Sequence, residues 1–239
     1  MKTTTITFIS DTHSKHQMLK DDLPGGDILI HGGDFMTSGY SEQEAIDFFK
    51  WFESQDYDSC IFIAGNHDRI MQNEPEKMRG ILTGYKGIDY LEDEELVLYG
   101  DGPNGDFPEG NIRMYGSPWQ PEFYNWAYNL PRNGFELEMK WGAIPDNTDI
   151  LITHGPAWGY LDATIYRPNM KLGCELLRER IDEIKPKIHI FGHIHSAHGY
   201  YFNGHTHFIN ASVLNEQYNY TNIPQSFEWD SITNQIKWL

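Results

Sequence analysis

The sequence predicts an α/β fold in which buried strands alternate with amphipathic helices. Three observations support this prediction. Apolar or β-branched runs of five or six residues recur along the chain, and each ends at polar residues. Glycine stands next to several of these run ends, which is typical of strands buried on both faces of a sheet. Segments with apolar residues at helical spacing separate the runs.

Five strands follow from these runs. Each is rich in β-branched or aromatic residues and is followed by a turn-forming or polar residue. They are Thr5–Ser10, Asp27–His31, Ser59–Ala64, Thr148–Thr153 and Lys187–Phe191.

Two helices are predicted between the strands. Ser41 and Glu44 have the spacing of a capping box, and a segment rich in Phe and Trp follows them. Leu172–Ile184 places Leu, Cys and Ile at helical spacing and stops before Pro186.

The remaining segments do not require a second domain. Leu96–Trp141 contains a turn-rich stretch and then the aromatic tract YGSPWQPEFYNWAYNLPR, and Gly199–Leu239 has the pattern of short strands and turns. No internal repeat, low-complexity tract or change in composition marks a linker. We therefore expect one domain over residues 1–239.

The composition narrows the class of partner. The formal net charge is −17, so most of the surface would repel a long polyanion, and a nonspecific nucleic-acid binder is disfavoured. A small anionic substrate remains compatible if bound cations make one site locally positive.

Cysteine content and hydropathy suggest a cytoplasmic protein. Cys60 and Cys174 lie far apart and next to apolar residues, as expected for two buried thiols in a reducing compartment. The N-terminal apolar segment is too short and too rich in threonine for a secretory signal, and no window has the length of a membrane span.

Potential metal ligands follow all five predicted strands. Because the carboxyl ends of neighbouring strands form a common crevice in open α/β sheets, these segments are expected to converge. His193 and His195 stand two positions apart and would face the same space in extended chain. The segments are Asp11–His13, Gly33–Asp34, Gly65–Asp68, Thr153–Gly155 and Gly192–His195.

The motifs D-T-H, G-D-x-x-x-x-G, G-N-H-D, T-H-G and G-H-I-H, in this order, resemble the calcineurin-like metallophosphoesterase superfamily. The resemblance spans Asp11–His195, and Asn210–Ser212 is a plausible continuation of it. The aromatic tract at 115–132, together with T-H-G-P, is most similar to the metallophosphoesterase-domain phosphodiesterases. The resemblance implies an αββα sandwich, with two mixed β-sheets flanked by helices.

The resemblance also implies a centre with two divalent transition-metal ions. Asp34 would bridge the two ions and screen their repulsion. Nitrogen and oxygen ligands together suit manganese, iron or zinc, whereas magnesium prefers oxygen and its own waters. The first ion would be held by Asp11, His13 and His195, and the second by Asn66, His154 and His193.

The mechanism that the resemblance implies is attack of a metal-bridging hydroxide on phosphorus. His67 would give a proton to the leaving oxygen, and Asp68 would orient or bias that imidazole. His31, on the strand before Asp34, is equally compatible with packing and with orienting a metal ligand.

Four further residues are candidates for substrate contact. His198 follows the H-x-H motif, and Trp126, Asn129 and Arg132 belong to the aromatic tract. Such a tract lines pockets in some proteins and is core in more of them, so stacking of a nucleobase on Trp126, or on its neighbours Trp119, Phe123 and Tyr128, competes with plain packing.

These observations predict a phosphodiesterase for small nucleotides, such as 2′,3′- or 3′,5′-cyclic ones. A phosphomonoesterase, including a protein phosphatase, would use the same metal core and differ only in the wall of the pocket, which we expect residues 99 to 132 to form. A nuclease is disfavoured by the charge, and a non-catalytic metal-binding module is disfavoured because every ligand position and His67 are filled. We expect no contact with membranes, and the sequence does not indicate an oligomeric state.

Overall fold

A computed structural model describes residues 3–99, 111–230 and 233–239 of the chain. It contains two mixed sheets of six strands each and a separate sheet of two short strands. The strands are β1 Thr4–Ile9, β2 Gly26–His31, β3 Tyr57–Phe62, β4 Ile88–Tyr90, β5 Glu94–Leu98, β6 Ile112–Ser117, β7 Gln120–Pro121, β8 Asn129–Leu130, β9 Ile150–Thr153, β10 Ile188–Phe191, β11 Gly199–Phe202, β12 His207–Asn210, β13 Gln225–Asp230 and β14 Gln235–Trp238.

The first sheet has the strand order β14-β13-β1-β2-β3-β4, and the second has the order β11-β12-β10-β9-β6-β5. In the first sheet β1, β2, β3 and β4 run parallel. In the second, β6, β9, β10 and β12 run parallel. The pairings of β1 with β13, β13 with β14, β11 with β12 and β5 with β6 are antiparallel. Both sheets are therefore mixed, as predicted.

Helices cover the outer faces of the sheets. They are α1 Glu42–Glu53, α2 Arg69–Asn73, α3 Pro75–Leu82, α4 Phe135–Gly142 and α5 Glu175–Ile184, with two short 3₁₀ helices at His16–Leu19 and His195–Ala197. In the described parts of the chain, no helix combines the length and the apolar character that crossing a bilayer requires.

Three apolar clusters separate the four layers. Alternate residues of a strand point to opposite faces, so Ile28 and Ile30 of β2 pack between the two sheets while Leu29 packs beneath α1. A third cluster lies between the second sheet and α4 and α5, and includes Trp141 and Ile181. Burial on both faces explains the continuous apolar runs, and the predicted αββα sandwich is confirmed.

The predicted helix starts are partly wrong. The second helix begins at Glu175, because the Cys174 thiol caps it by accepting from the Leu177 amide at 3.4 Å. The capping box before α1 is half formed. Ser41 accepts from the Glu44 amide, but the Glu44 carboxylate binds the Ser14 hydroxyl instead of returning to Ser41.

Candidate metal centre

The predicted ligands meet at one edge of the sandwich. Asp11, Asp34 and Asn66 follow β1, β2 and β3 of the first sheet, and His154 and His193 follow β9 and β10 of the second. The parallel strands place all of these positions at their carboxyl ends.

The backbone at this edge is held in an unusual conformation. Asp11, His13, Asp34 and His193 have φ angles of 53°, 39°, 57° and 65°, in the left-handed region that non-glycine residues seldom occupy. Such conformations cost free energy and concentrate at functional sites. Gly192 is required by close approach, since a Cβ there would lie 2.0 Å from Asp11 Oδ2.

Asp11, His13 and His195 form the first cluster, and their candidate ligand atoms lie within 4.8 Å of one another. The Nε2 atoms of His13 and His195 are 3.3 Å apart, and His195 Nε2 is 3.4 Å from Asp11 Oδ1. All three residues are buried.

Asn66, His154 and His193 form the second cluster. The Asn66 Oδ1 atom lies 2.9 Å from His154 Nε2 and 2.8 Å from His193 Nδ1. Asp34 Oδ2 is 3.4 Å from His154 Nε2 and 3.8 Å from His13 Nε2. Asp34 therefore stands between the two clusters, which is the position predicted for a bridging carboxylate.

Backbone carbonyls orient three of the imidazoles. Nδ1 of His13 lies 3.1 Å from the Met36 carbonyl oxygen, and Nδ1 of His195 lies 3.0 Å from that of Asn215. The Gly32 carbonyl holds His154 in the same way at 3.0 Å. An imidazole that donates its Nδ1 proton presents a lone pair at Nε2.

This arrangement fits a cation. Lone pairs on His13, His154 and His195 face one another or a carboxylate, so each cluster gathers acceptors that need a positive charge between them. The mixed nitrogen and oxygen donors suit a divalent transition metal.

In the metal-free protein, protons take the place of such cations. Burial opposes a charged imidazole at His154, but the Asp34 carboxylate outweighs it and raises the pKa of His154 to about 9. Burial likewise opposes charge on His195, and its contact with Asp11 raises its pKa to about 9. Burial lowers the pKa of His13 to about 4 and that of His193 to about 3. One histidine of each cluster is thus protonated at neutral pH.

The stability of the metal-free protein is expected to fall by a few kcal/mol between pH 6.5 and 9. A pKa raised to about 9 for His154 and His195 stabilises the fold fully below the unfolded value of about 6.5, and this stabilisation disappears as pH rises through 9. Urea unfolding at several pH values would measure it.

Added Mn²⁺ should flatten this pH dependence, because a bound ion replaces the protons and release of protons accompanies its uptake. A metal-free protein whose unfolding free energy is constant over this range would contradict the assignment of charge to the two histidines.

Asp68 connects the two turns that carry Asp34 and Asn66. Its buried carboxylate accepts from the backbone amides of Asp34 at 2.8 Å, Met36 at 2.9 Å and Gly65 at 2.7 Å. The predicted orientation of His67 by Asp68 is not what these hydrogen bonds show. Asp68 instead positions the backbone beneath the metal ligands.

His67 is oriented by different groups. Its Nδ1 lies 2.6 Å from the Thr37 carbonyl oxygen, and its ring stacks on Trp126 with centroids 4.0 Å apart. Its backbone amide donates to Asp34 Oδ1 at 2.7 Å, and its ring is 4.6 Å from that of His13. His67 therefore borders the centre with its Nε2 atom not engaged by Thr37.

His31 connects two ligand-bearing turns. Its Nδ1 accepts from the Gly33 amide at 3.2 Å, so its Nε2 carries the proton and donates to Thr12 Oγ1 at 3.0 Å. Burial lowers the pKa of His31 to about 3, so the ring is neutral. Between the two alternatives for this residue, the contacts favour support of the ligand turns.

The polar groups of two predicted substrate contacts are engaged within the protein. The Asn129 amide donates to the carbonyls of Phe123 and Tyr124. The Arg132 guanidinium binds Glu175 at 2.6 Å and the Gly173 carbonyl at 2.8 Å. Both residues hold loops together, although Arg132 also lines a cavity described below.

The contacts of Trp126 differ from the expectation, whereas a substrate contact by His198 stays a prediction. Trp126 contacts His67 on its ring and lies beneath the Arg69 guanidinium at 4.8 Å, so it supports His67 more directly than it offers a free face to a base. His198 is partly buried, its Nδ1 has no hydrogen-bond partner, and burial lowers its pKa.

Four residues at the centre were not predicted from the sequence. The Ser212 hydroxyl donates to Asp11 Oδ2 at 2.7 Å, and the Asn215 carbonyl holds His195. Tyr218 packs its ring 4.8 Å from that of His13, and Tyr218 and Glu216 both line the small pocket that Asp34 borders. Of these, only Ser212 had a signal, in the continuation Asn210–Ser212.

Two neighbouring cavities open at this edge. The smaller, of about 150 Å³, is the metal pocket, and Asp34, Asn66 and His67 are among its walls. The larger, of about 350 Å³, is called the outer cavity below, and Arg132, Arg167 and Leu172 are among its walls. Phe123, His193 and Glu216 line both. The wall expected from residues 99 to 132 includes 100–110, which lie outside the described residues.

Comparison with known proteins agrees with this geometry. The model of the calcineurin-like phosphoesterase family matches residues 4–197. Metallophosphoesterase domain-containing protein 1 of Homo sapiens is 37% identical over 237 residues, which cover 90% of this chain and 68% of that protein.

Two crystal structures share the fold at low identity. TT1561 of Thermus thermophilus superposes with a TM-score of 0.66 at 12% identity, covering 100% of this chain and 99% of the other. The phosphopantetheinyl hydrolase of Mycobacterium tuberculosis has a TM-score of 0.60 at 14% identity, with 89% and 90% covered. With the family match and the convergent Asp and His clusters, this chain belongs to the calcineurin-like phosphoesterases, a family of metal-dependent phosphoester hydrolases.

Proposed function

We propose that this protein is a binuclear metal-dependent phosphodiesterase for small nucleotides, such as 2′,3′- or 3′,5′-cyclic ones. The observation that carries the proposal is the outer cavity next to the metal pocket, with Phe123, His193 and Glu216 in the walls of both. A small nucleotide whose phosphoryl group lies in the metal pocket needs such a space for its nucleoside part.

The two clusters would each hold one divalent ion, with Asp34 between them. Asp11, His13 and His195 would hold the first, and Asn66, His154 and His193 the second. When bound, the pair supplies a water nucleophile active near neutral pH and neutralises charge on the phosphoryl oxygens.

His67 would protonate the leaving oxygen. Because its Nδ1 is engaged by the Thr37 carbonyl, Nε2 is the atom available to carry the transferred proton. The stacked Trp126 keeps the ring plane fixed. In hydrolysis a P–O bond forms from water, the bond to the leaving oxygen breaks, and this proton completes the product alcohol.

The outer cavity supplies a place for the rest of the substrate. Phe123 presents a ring that is 44% exposed, and with Pro156 and Leu172 it forms an apolar wall. Arg167 lines the same cavity, and among the described residues its guanidinium donates a hydrogen bond only to the Met170 sulfur. Among the aromatic residues of the tract, Phe123 is thus our candidate for stacking on a nucleobase.

The proposal predicts that manganese-loaded protein hydrolyses bis(p-nitrophenyl) phosphate with a higher kcat/KM than p-nitrophenyl phosphate. Release of p-nitrophenolate measures both reactions. Good turnover of the monoester beside little turnover of the diester would favour the phosphomonoesterase instead. A panel of cyclic and linear nucleotides with several metals would then identify the substrate, with metal-free protein as the control.

A further inference from the structure

Glu216 occupies the boundary between the two cavities. It is partly buried and lines both the metal pocket and the outer cavity. The other two residues at this boundary are Phe123 and His193, so Glu216 supplies the only carboxylate that the described residues place in the walls of both spaces.

A chain of hydrogen bonds holds this carboxylate in place. The Ile165 amide donates to Ser196 Oγ at 3.1 Å, so the Ser196 hydroxyl directs its own proton to Glu216 Oε1 at 2.6 Å. Ser196 directly follows His195, which ties the carboxylate to the loop that carries a predicted ligand. The contact engages one oxygen of the carboxylate, and the described residues provide no hydrogen bond to the other.

A fixed negative charge beside a phosphoryl site discriminates between substrates by their charge. A phosphodiester carries one negative charge, whereas a phosphomonoester carries close to two at neutral pH. The two arginines that line the outer cavity form no described ion pair with Glu216, and Arg132 is paired with Glu175 at 2.6 Å. Like charges forced close together are destabilising, and in a partly buried site the effect is large enough to change affinity about tenfold.

We propose that Glu216 is a specificity-determining residue that selects singly charged phosphodiesters by repelling doubly charged monoesters and free phosphate. This inference rests on the proposed function and adds to it the residue that sets the preference. It does not require Glu216 to bind a metal or to transfer a proton.

The test compares Glu216→Gln with the parent protein and with Glu122→Gln. Glu122 also lines the outer cavity but not the metal pocket, so its replacement removes the same charge from the neighbouring wall. In manganese-loaded Glu216→Gln we expect the ratio of kcat/KM for bis(p-nitrophenyl) phosphate over p-nitrophenyl phosphate to fall about tenfold, mainly through faster monoester hydrolysis. In Glu122→Gln the ratio should stay close to that of the parent. Equal changes for both esters in Glu216→Gln would overturn the inference.

A binding measurement separates this inference from the proposed function. Titration calorimetry of inorganic phosphate into manganese-loaded protein should show several-fold tighter binding to Glu216→Gln than to the parent. Unchanged affinity, with manganese content and thermal unfolding also unchanged, would overturn the role of Glu216 whether or not either ester is hydrolysed. A parent protein that hydrolyses neither ester would instead overturn the proposed function, while tighter phosphate binding by the variant would still support the charge selection.

Discussion

Asp34→Asn is expected to lower kcat/KM for a phosphodiester by more than about a hundredfold and to reduce the manganese bound per chain. Loss of a group that only orients a metal ligand already costs about 10- to 100-fold in metal affinity or activity. Asp34 would contact the ions itself, so the loss should be larger. Its Oδ2 atom is 3.4 Å from His154 Nε2 and 3.8 Å from His13 Nε2, so it faces both clusters.

The physical reason is charge. Burial opposes ionisation of Asp34, but its histidine neighbours outweigh burial and hold its pKa well below the usual range, so the carboxylate is charged near neutral pH. Asparagine keeps the shape and the acceptor for the His67 amide but removes that charge. With the carboxylate gone, one of the two negative charges that would balance a pair of dications is lost.

Elemental analysis after manganese loading and gel filtration would measure this loss. Asp162→Asn is a suitable control, because Asp162 is also a buried aspartate that accepts from backbone amides, at Gly159 and Gly173. Asp162→Asn should keep its metal content. If Asp34→Asn were to retain full metal content and turnover while folding normally, a bridging role for Asp34 would be excluded.

His67→Ala should retain the manganese content of the parent protein and lose about 10²- to 10⁴-fold in kcat on a substrate that releases an alkoxide. A cyclic nucleotide is such a substrate, since its leaving oxygen must gain a proton. Turnover of bis(p-nitrophenyl) phosphate should fall much less, because p-nitrophenolate leaves without one.

The difference between the two substrates is the informative result. A structural role would slow both substrates alike, through loss of the stack on Trp126 or of packing against His13. His205→Ala, at an exposed turn, provides a control for loss of a histidine. Equal rates for parent and His67→Ala on the cyclic nucleotide would remove His67 from the mechanism.

Local patterns in the chain were sufficient to predict the layers and the side chains that converge at one edge of the sandwich. A strand buried on both faces must be apolar throughout, so Ile28, Leu29 and Ile30 appear as one run although they contribute to two different apolar clusters. A predicted ligand such as Asp34 or His193 lies two or three positions after such a run, and parallel strands bring these positions to a common edge. These relations act over a few residues and are visible without coordinates.

The supporting contacts depend on segments that are distant in sequence. The Asn215 carbonyl meets His195 across 20 residues, and the Ser212 hydroxyl meets Asp11 across 201. A backbone carbonyl has no side-chain signature, so nothing in the residue types marks Thr37 or Asn215 as the partner of a histidine. Asp68 shows the same limit, because its carboxylate binds backbone amides of another turn rather than its neighbour His67.

The sequence alone thus determined which side chains converge. Each of them follows a buried strand, and strands that alternate with helices run parallel, so their carboxyl ends meet at one edge. Only the tertiary structure decided how those side chains are aimed and what surrounds them. Glu216 stands in the wall of two cavities because loops from separate parts of the chain pack around it, and long-range packing of that kind leaves no periodic signal in the sequence.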